Sequence, residues 1–368
     1  MRNYQIATLP GDGIGPEIIR EGVKVLKTAE ECVGGFHLEY EYLEAGAALY
    51  ASTGVIIAPE TEKKMDEADA IYLGAMGLPE VRLPDGTETQ GIIINGTRKR
   101  LNLFAGVRPI KLFQGIKSPL EGKDQIDFVI LRESTEGLFA SFMAGANVYD
   151  KVYADTMIIT REGTEKVCDY AFRYARKRSG RPSDGKRVVT CVDKSNNFTC
   201  QAFWRKIYDE VAEHYPDIER DYAFVDAVNV GLILHPENYD VLVSENIFGD
   251  IISDMAAALV GGMGLAPSGD IGYEHAMFQP AHGSAPTIAG KNIANPVAAI
   301  LSGAMMLDWL GERHTDSALK TAGALVWRAV EDVIARGCRT GDVGGNAATS
   351  EFGDQAAARL RELARAQT

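Results

Sequence analysis

Two aspartates four residues apart, Asp250 and Asp254 in the stretch SENIFGDIISDMAAAL, are the strongest chemical signal in the chain. On a helix that spacing puts both carboxylates on one face about one turn apart, where they repel unless a positive charge sits between them. Oxygen-only donors suit Mg²⁺ or Mn²⁺ rather than zinc, and Mg²⁺ needs only one or two protein carboxylates before substrate and water complete its shell. A bare D-x-x-x-D is more often a solvated acidic face. Here the setting argues for a site, because a strand-like run over residues 239–243 feeds into it and Ala256, Ala257, Ala258 and Leu259 continue it as apolar helix. A third acid, Asp226 in FVDA, closes another strand-like run.

Arginines are the second signal. Arg98 falls on a helical run, Arg108 lies in a strand-like run ended by Pro109, and Arg132 closes DFVILR at a strand end, where α/β sheets place ligand-binding groups. Several guanidiniums near a carboxylate metal site suit a substrate with more than one carboxylate, since guanidinium binds carboxylate bidentately.

The elements that must carry these groups alternate between strand-like and amphipathic runs, the signature of an α/β fold with a largely parallel sheet. Residues 4–9 read as a strand, and GDGIGPE at 11–17 opens a helix with Pro16 in its first turn. That glycine turn presents N–H groups to a phosphate or is simply a tight turn; its G-x-G-x-G spacing is not the dinucleotide fingerprint. Further strands are read at 38–43, 70–73, 152–160 and 187–192, the last delivering Asp193 and Lys194. Residues 77–96 read as a loop over a site, 161–177 as a helix, and 294–310 and 316–335 as long packing helices.

Composition narrows the class. With 368 residues, 46% of them hydrophobic, the chain can build two domains or one large α/β unit. No apolar run approaches the roughly 20 residues of a membrane span, no signal-peptide pattern opens the chain, and a cytoplasmic protein is expected. A net charge of −13 argues against nucleic-acid binding. The five cysteines are scattered without a C-x-x-C pair, as expected of reduced thiols, and the six histidines form no zinc pattern.

Together these residues resemble the β-decarboxylating hydroxyacid dehydrogenases, the group of isocitrate, 3-isopropylmalate, homoisocitrate and tartrate dehydrogenases. The matching motifs are LPGDGIGPE at 9–17, TRKRLNLFAGVRP at 97–109, RESTEG at 132–137, TREGTEKVCDYAF at 160–172, VDKSNN at 192–197, FVDA at 224–227, NIFGDIISD at 246–254 and HGSAPTIAGKNIANP at 282–296, in family order over nearly the whole length. The resemblance implies a two-domain α/β fold with a mostly parallel sheet. Residues 1–103 and 258–368 would form a dinucleotide-binding domain, and residues 104–257 a central domain for substrate, metal and dimerisation. It also implies a homodimer with shared sites, in which Lys194 and Asp226 reach the partner's site while Asp250 and Asp254 complete the metal site of their own subunit. Arg98, Arg108 and Arg132 would hold malate-type carboxylates. The loop carrying His282, Gly283, Ser284, Ala285, Thr287, Ile288 and Asn295 would hold the adenine end of the dinucleotide. Lys194, with its aspartate neighbours, would be the base for metal-assisted alcohol oxidation to NAD, followed by loss of CO₂.

Several positions depart from the family pattern. Phe139 stands where the family has the tyrosine that protonates the enolate, so either water or another side chain, Tyr149 or Tyr153 among the candidates, does the job, or decarboxylation is slow or absent. Ile92 and Ile94 replace the polar pair used for a third carboxylate, which argues against isocitrate and suits a branched tail such as isopropyl; Asn197 favours a smaller or more polar one. Thr287-Ile288 replaces the Lys-Tyr of NADP enzymes, and Gly341, Gly344 and Gly345 stand where those enzymes carry Tyr and Arg, so NAD is expected. Gln279 stands where many relatives have glutamate. The leading expectation is an NAD-dependent dehydrogenase of a 3-isopropylmalate-like substrate. The alternatives are a tartrate- or D-malate-like or non-decarboxylating enzyme, and a non-catalytic regulatory subunit.

Overall fold

The computed structural model describes residues 2–366. The first part of the chain runs β1 (Arg2–Leu9), α1 (Gly15–Val33), β2 (Phe36–Tyr42), α2 (Ala47–Thr53), α3 (Pro59–Glu67), β3 (Ala70–Leu73) and α4 (Gln90–Arg100). The middle runs β4 (Ala105–Lys111), β5 (Asp127–Glu133), β6 (Ala146–Val148), β7 (Val152–Ala154), α5 (Arg161–Lys177), β8 (Val188–Asp193), α6 (Thr199–Ala212), β9 (Glu219–Phe224), α7 (Val225–Leu234), β10 (Val241–Ser244) and α8 (Asn246–Leu259). The last part holds β11 (Pro267–Ile271), β12 (Ala276–Pro280), α9 (Val297–Arg313), α10 (Ser317–Ala335) and α11 (Thr349–Arg365).

One 10-stranded sheet carries the molecule in the order β2-β1-β3-β12-β11-β4-β5-β10-β8-β9. Pairing is parallel at both ends and antiparallel at β12-β11, β11-β4 and β4-β5. The sheet is therefore mostly parallel, as expected, with an antiparallel centre where the half built from both chain ends meets the half built from the middle.

Strand alternation sorts the side chains onto the two faces of the sheet, because successive residues point to opposite sides. In β5, Val129 and Leu131 join the core under α1, α5, α6, α9, α10 and α11, while Phe128 and Ile130 join the one under α7 and α8. β10 repeats this, with Val241 and Val243 on one face and Leu242 on the other. Helix starts are fixed locally: Thr160 Oγ1 accepts from Gly163 N at 3.1 Å, and the Glu245 carboxylate accepts from Phe248 N at 2.9 Å.

Three boundaries differ from the sequence reading. The strand read over residues 152–160 shrinks to β7, which pairs only with β6 in a separate, exposed hairpin; beyond it Ile158 makes a lone bridge to Gly137 and Thr160 caps α5. Pro109 does not end its strand. β11 pairs only as far as Val107, so β4 has an open flank at Pro109 that tolerates the missing N–H. The loop read over residues 77–96 gives way to α4 at Gln90.

Candidate active site

β4, β5 and α4 bring the three arginines to one cavity of about 490 Å³, with Asp250 on its wall. Arg98, Arg108 and Arg132 are all buried. Each is aimed by a different device. Arg98 Nε lies 3.1 Å from Asp270 Oδ1 in β11, a carboxylate that also accepts from Gln279 Nε2 at 3.2 Å. Arg132 donates from Nε to Asn246 Oδ1 at 2.8 Å and from a terminal nitrogen to Asp250. Arg108 Nε has no hydrogen-bond partner among the described residues. Burial, with Arg98 and Arg108 close by, lowers the Arg132 pKa to about 9 against the opposing pull of Asp250. Crowded, desolvated guanidiniums with spare donors gain most from an incoming polycarboxylate.

Sequence reasoning missed Asp270, Asn246 and the rim of this cavity. Ile94 lines it as expected, but so do Glu88, Gln90 and Asn95, together with Phe139 and Phe142. Asp270 carried no local signal, because its pairing with Arg98 spans 172 positions. Asn197 lies in the exposed turn after β8 and does not line the cavity. Tyr149 and Tyr153, the candidate replacements for the family tyrosine, sit on the exposed β6–β7 hairpin at 91% and 71% exposure and do not line it either.

Asp250 and Asp254 occupy successive turns of α8. Asp254 lies at the surface of the single chain without an ion pair among the described residues, yet partial desolvation raises its pKa, helped by Asp250 and opposed by Arg108 and Arg132. Two repelling oxygen donors on one face fit a hard divalent cation. Within one chain no third Asp, Glu, His or Cys among the described residues completes such a site. Asp226 lies elsewhere, in the first turn of α7, where its Oδ1 accepts from Lys194 Nζ at 2.6 Å. That hydrogen bond holds the Asp226 pKa down.

The loop after β12 carries the remaining group. His282, Gly283, Ala285, Ile288 and Asn295 line a second cavity of about 270 Å³, while Thr287 is exposed outside it. Its chemistry fits an adenine: an apolar wall, and a buried His282 Nε2 with no hydrogen-bond partner among the described residues. Burial lowers the His282 pKa, which favours the neutral ring. Asp342 also lines this cavity and accepts from Asn295 Nδ2 at 3.0 Å. Ser284 turns inward instead, its hydroxyl donating to the Gly77 carbonyl while its own carbonyl accepts from Ile14 N at 2.8 Å.

That last bond explains the glycine turn. A Cβ on Gly11 would lie 2.1 Å from the Ala75 carbonyl oxygen, and one on Gly13 would lie 2.0 Å from that of Ser284. Both positions also have positive φ. Of the two readings of this turn, close packing is the one realised. Asp12 between the glycines accepts from Ala47 N, Ala48 N and Gly77 N at 2.9, 2.9 and 2.7 Å, locking the turn to α2 and the loop beside the cavity.

Comparison with known proteins agrees with this geometry. The family model described as isocitrate/isopropylmalate dehydrogenase matches residues 5–356. A 3-isopropylmalate/3-methylmalate dehydrogenase of Methanocaldococcus jannaschii is 39% identical over 98% of this chain and 99% of its own. A decarboxylating D-malate dehydrogenase of Escherichia coli is 37% identical over 96% and 98%. Among solved structures, an isocitrate dehydrogenase from Methylococcus capsulatus superposes with a TM-score of 0.84 at 34% identity, covering 97% of this chain and 99% of that one.

Proposed function

Since the chain belongs to the isocitrate/isopropylmalate dehydrogenase family and is an oxidoreductase acting on a CH–OH group, we propose that it oxidises a 3-substituted malate with NAD and a divalent metal, and decarboxylates the product. The observation that carries this reading is the convergence of Arg98, Arg108 and Arg132 with Asp250 in one cavity. Three guanidiniums orient the two carboxylates of a malate and leave its hydroxyl towards α8. A bound Mg²⁺ or Mn²⁺, held by Asp250 and Asp254 with Asp226 of the partner subunit, would supply charge stabilisation to the hydroxyl oxygen as it loses its proton. Bound NAD would accept the hydride, seated along the His282–Asn295 loop. Asp342 and the absence of a lining cation favour NAD over the 2′-phosphate of NADP.

The rest of the reading is a homodimer, which a set of exposed apolar side chains supports. Val230, Ile233 and Leu234 of α7, Ile251 of α8, and Val148, Val152 and Tyr149 of the hairpin are all exposed apolar side chains. Faces of that kind are covered in stable proteins. Pairing them would bring Lys194 and Asp226 to a neighbouring site, where Lys194 takes the hydroxyl proton. The two domains would then be residues 1–103 with 258–368, and residues 104–257, with the latter forming the interface.

Ile94, Met76 and Phe142 suit a 3-alkyl tail such as isopropyl. The polar Glu88, Gln90 and Asn95 in the same wall favour a second reading, a tartrate- or D-malate-like substrate. Measuring NADH and CO₂ together over 3-isopropylmalate, 3-methylmalate, D-malate, tartrate and isocitrate separates these. Turnover confined to isocitrate, or none with any of the five, overturns both.

A further inference from the structure

Behind the catalytic cavity, on the opposite face of the same strands, lies a groove that the reaction does not use. In β4, β11 and β12, Arg108, Asp270 and Gln279 face the catalytic side, while their neighbours Val107, Ile271 and Phe278 face the back and form the floor of a cavity of about 340 Å³. α5 and α9 form its walls, with Tyr174 from one and Trp309 from the other. A second opening of about 420 Å³ shares Tyr170, Tyr174, Trp309 and Ile271, so the two are one continuous aromatic groove along the seam between the sheet's halves. The volume is that of a small-molecule site, about 300–1,000 Å³.

Charge in the groove is unevenly satisfied. Lys177 is matched by Glu312 at 2.5 Å, and Arg178 by Asp240 at 2.6 Å. Two lining groups are not matched: the half-buried Asp308 carboxylate and, at the exposed rim, the Lys320 ammonium make no hydrogen bond or ion pair among the described residues. Burial, helped by Glu312, pushes the Asp308 pKa up to about 6 against the longer-range pull of Lys320 and Lys177, neither of which bonds to it. One unmatched anion and one unmatched cation, adjacent but not bonded, beside an apolar floor, are complementary to a zwitterion with an apolar tail.

We propose that this groove binds a free α-amino acid with an apolar side chain, its ammonium on Asp308, its carboxylate on Lys320, and its side chain against Tyr174, Trp309 and Phe278. Lone amines or lone carboxylates of the same size satisfy only one of the two charges.

Isothermal titration of the full-length protein with L-leucine and L-phenylalanine, beside isoamylamine and 4-methylpentanoate, tests it. Saturable binding of an amino acid is expected, with each single-charge analogue weaker by about tenfold or more. Asp308→Asn and Lys320→Met should each weaken amino-acid binding by about the same factor while keeping the wild-type thermal midpoint within a few degrees. The proposal is overturned if neither amino acid saturates at about 10 mM, a Kd range worth under about 3 kcal/mol, if the amine or the acid alone binds equally well, or if binding survives both substitutions in proteins that remain folded.

Discussion

The Arg132 guanidinium sits 4.9 Å from the centre of the Phe139 ring while its far side reaches Asp250. The aromatic face therefore covers one side of that charge, and where the family resemblance implies a tyrosine hydroxyl this chain has only a π surface. Phe139→Tyr restores a proton donor beside the cavity. CO₂ released per NADH formed should rise towards one, with little change in the oxidation rate, in coupled NADH and CO₂ assays; an unchanged ratio below one places the missing proton elsewhere.

Arg108 is the arginine without a fixed partner, so it is the one freest to meet substrate. Arg108→Met should raise KM for the dicarboxylate by about tenfold or more, since a charge-assisted hydrogen bond contributes about 1.5–3 kcal/mol, while leaving the melting temperature near wild type. Arg132→Met strands the buried Asn246 amide while Asp250, whose side chain is 36% exposed, turns to water, so it should cost stability as well, about 1–3 kcal/mol. Thermal melts beside steady-state kinetics distinguish the two variants.

On the proposed reading, cofactor choice depends on the cavity lined by Asp342. Asp342→Ser removes the acid and should narrow the preference for NAD over NADP, measured as the ratio of kcat/KM values. A wild-type preference for NADP, or a ratio that widens in the variant, contradicts the assignment.

Glu133 follows Arg132 and is 1% exposed. Burial lifts its pKa from 4.5 to about 7, although Thr135 and Glu136 donate hydrogen bonds to it. A raised carboxyl pKa means that the folded state holds the proton more tightly than the unfolded one. Its contribution is thus fully present below pH 4.5, is lost as pH rises to about 7, and is flat beyond, a change on the order of 3 kcal/mol. Glu133→Gln should flatten that part of the stability profile in urea titrations at stepped pH.

The alternation of helices and strands, the acid pair on α8 and the arginines on α4, on β4 and at the end of β5 are legible locally, because each is a short-range pattern of period, cap or spacing. The antiparallel centre is not: β4–β5 and β11–β12 each pair near neighbours in the chain, but the β11–β4 pairing that joins them brings together distant segments. For the same reason Asp270, which holds Arg98 across 172 positions, carried no signal. The glycine turn was ambiguous for a different cause: what fills it, the Ala75 and Ser284 carbonyls, arrives from two distant loops. Glu88 lies in an irregular segment and Gln90 and Asn95 on a weakly patterned helix, so none of them pointed to the cavity from spacing alone.

On the proposed reading each site is completed by Asp226 of the partner subunit. Mixing decides it: Asp226→Asn and Asp254→Asn should each be inactive as homodimers, but a co-expressed heterodimer contains one site with every carboxylate intact. Co-expression should then restore metal-dependent NADH formation to about half the wild-type rate per heterodimer, one intact site of two. A heterodimer as inactive as its parents would contradict it.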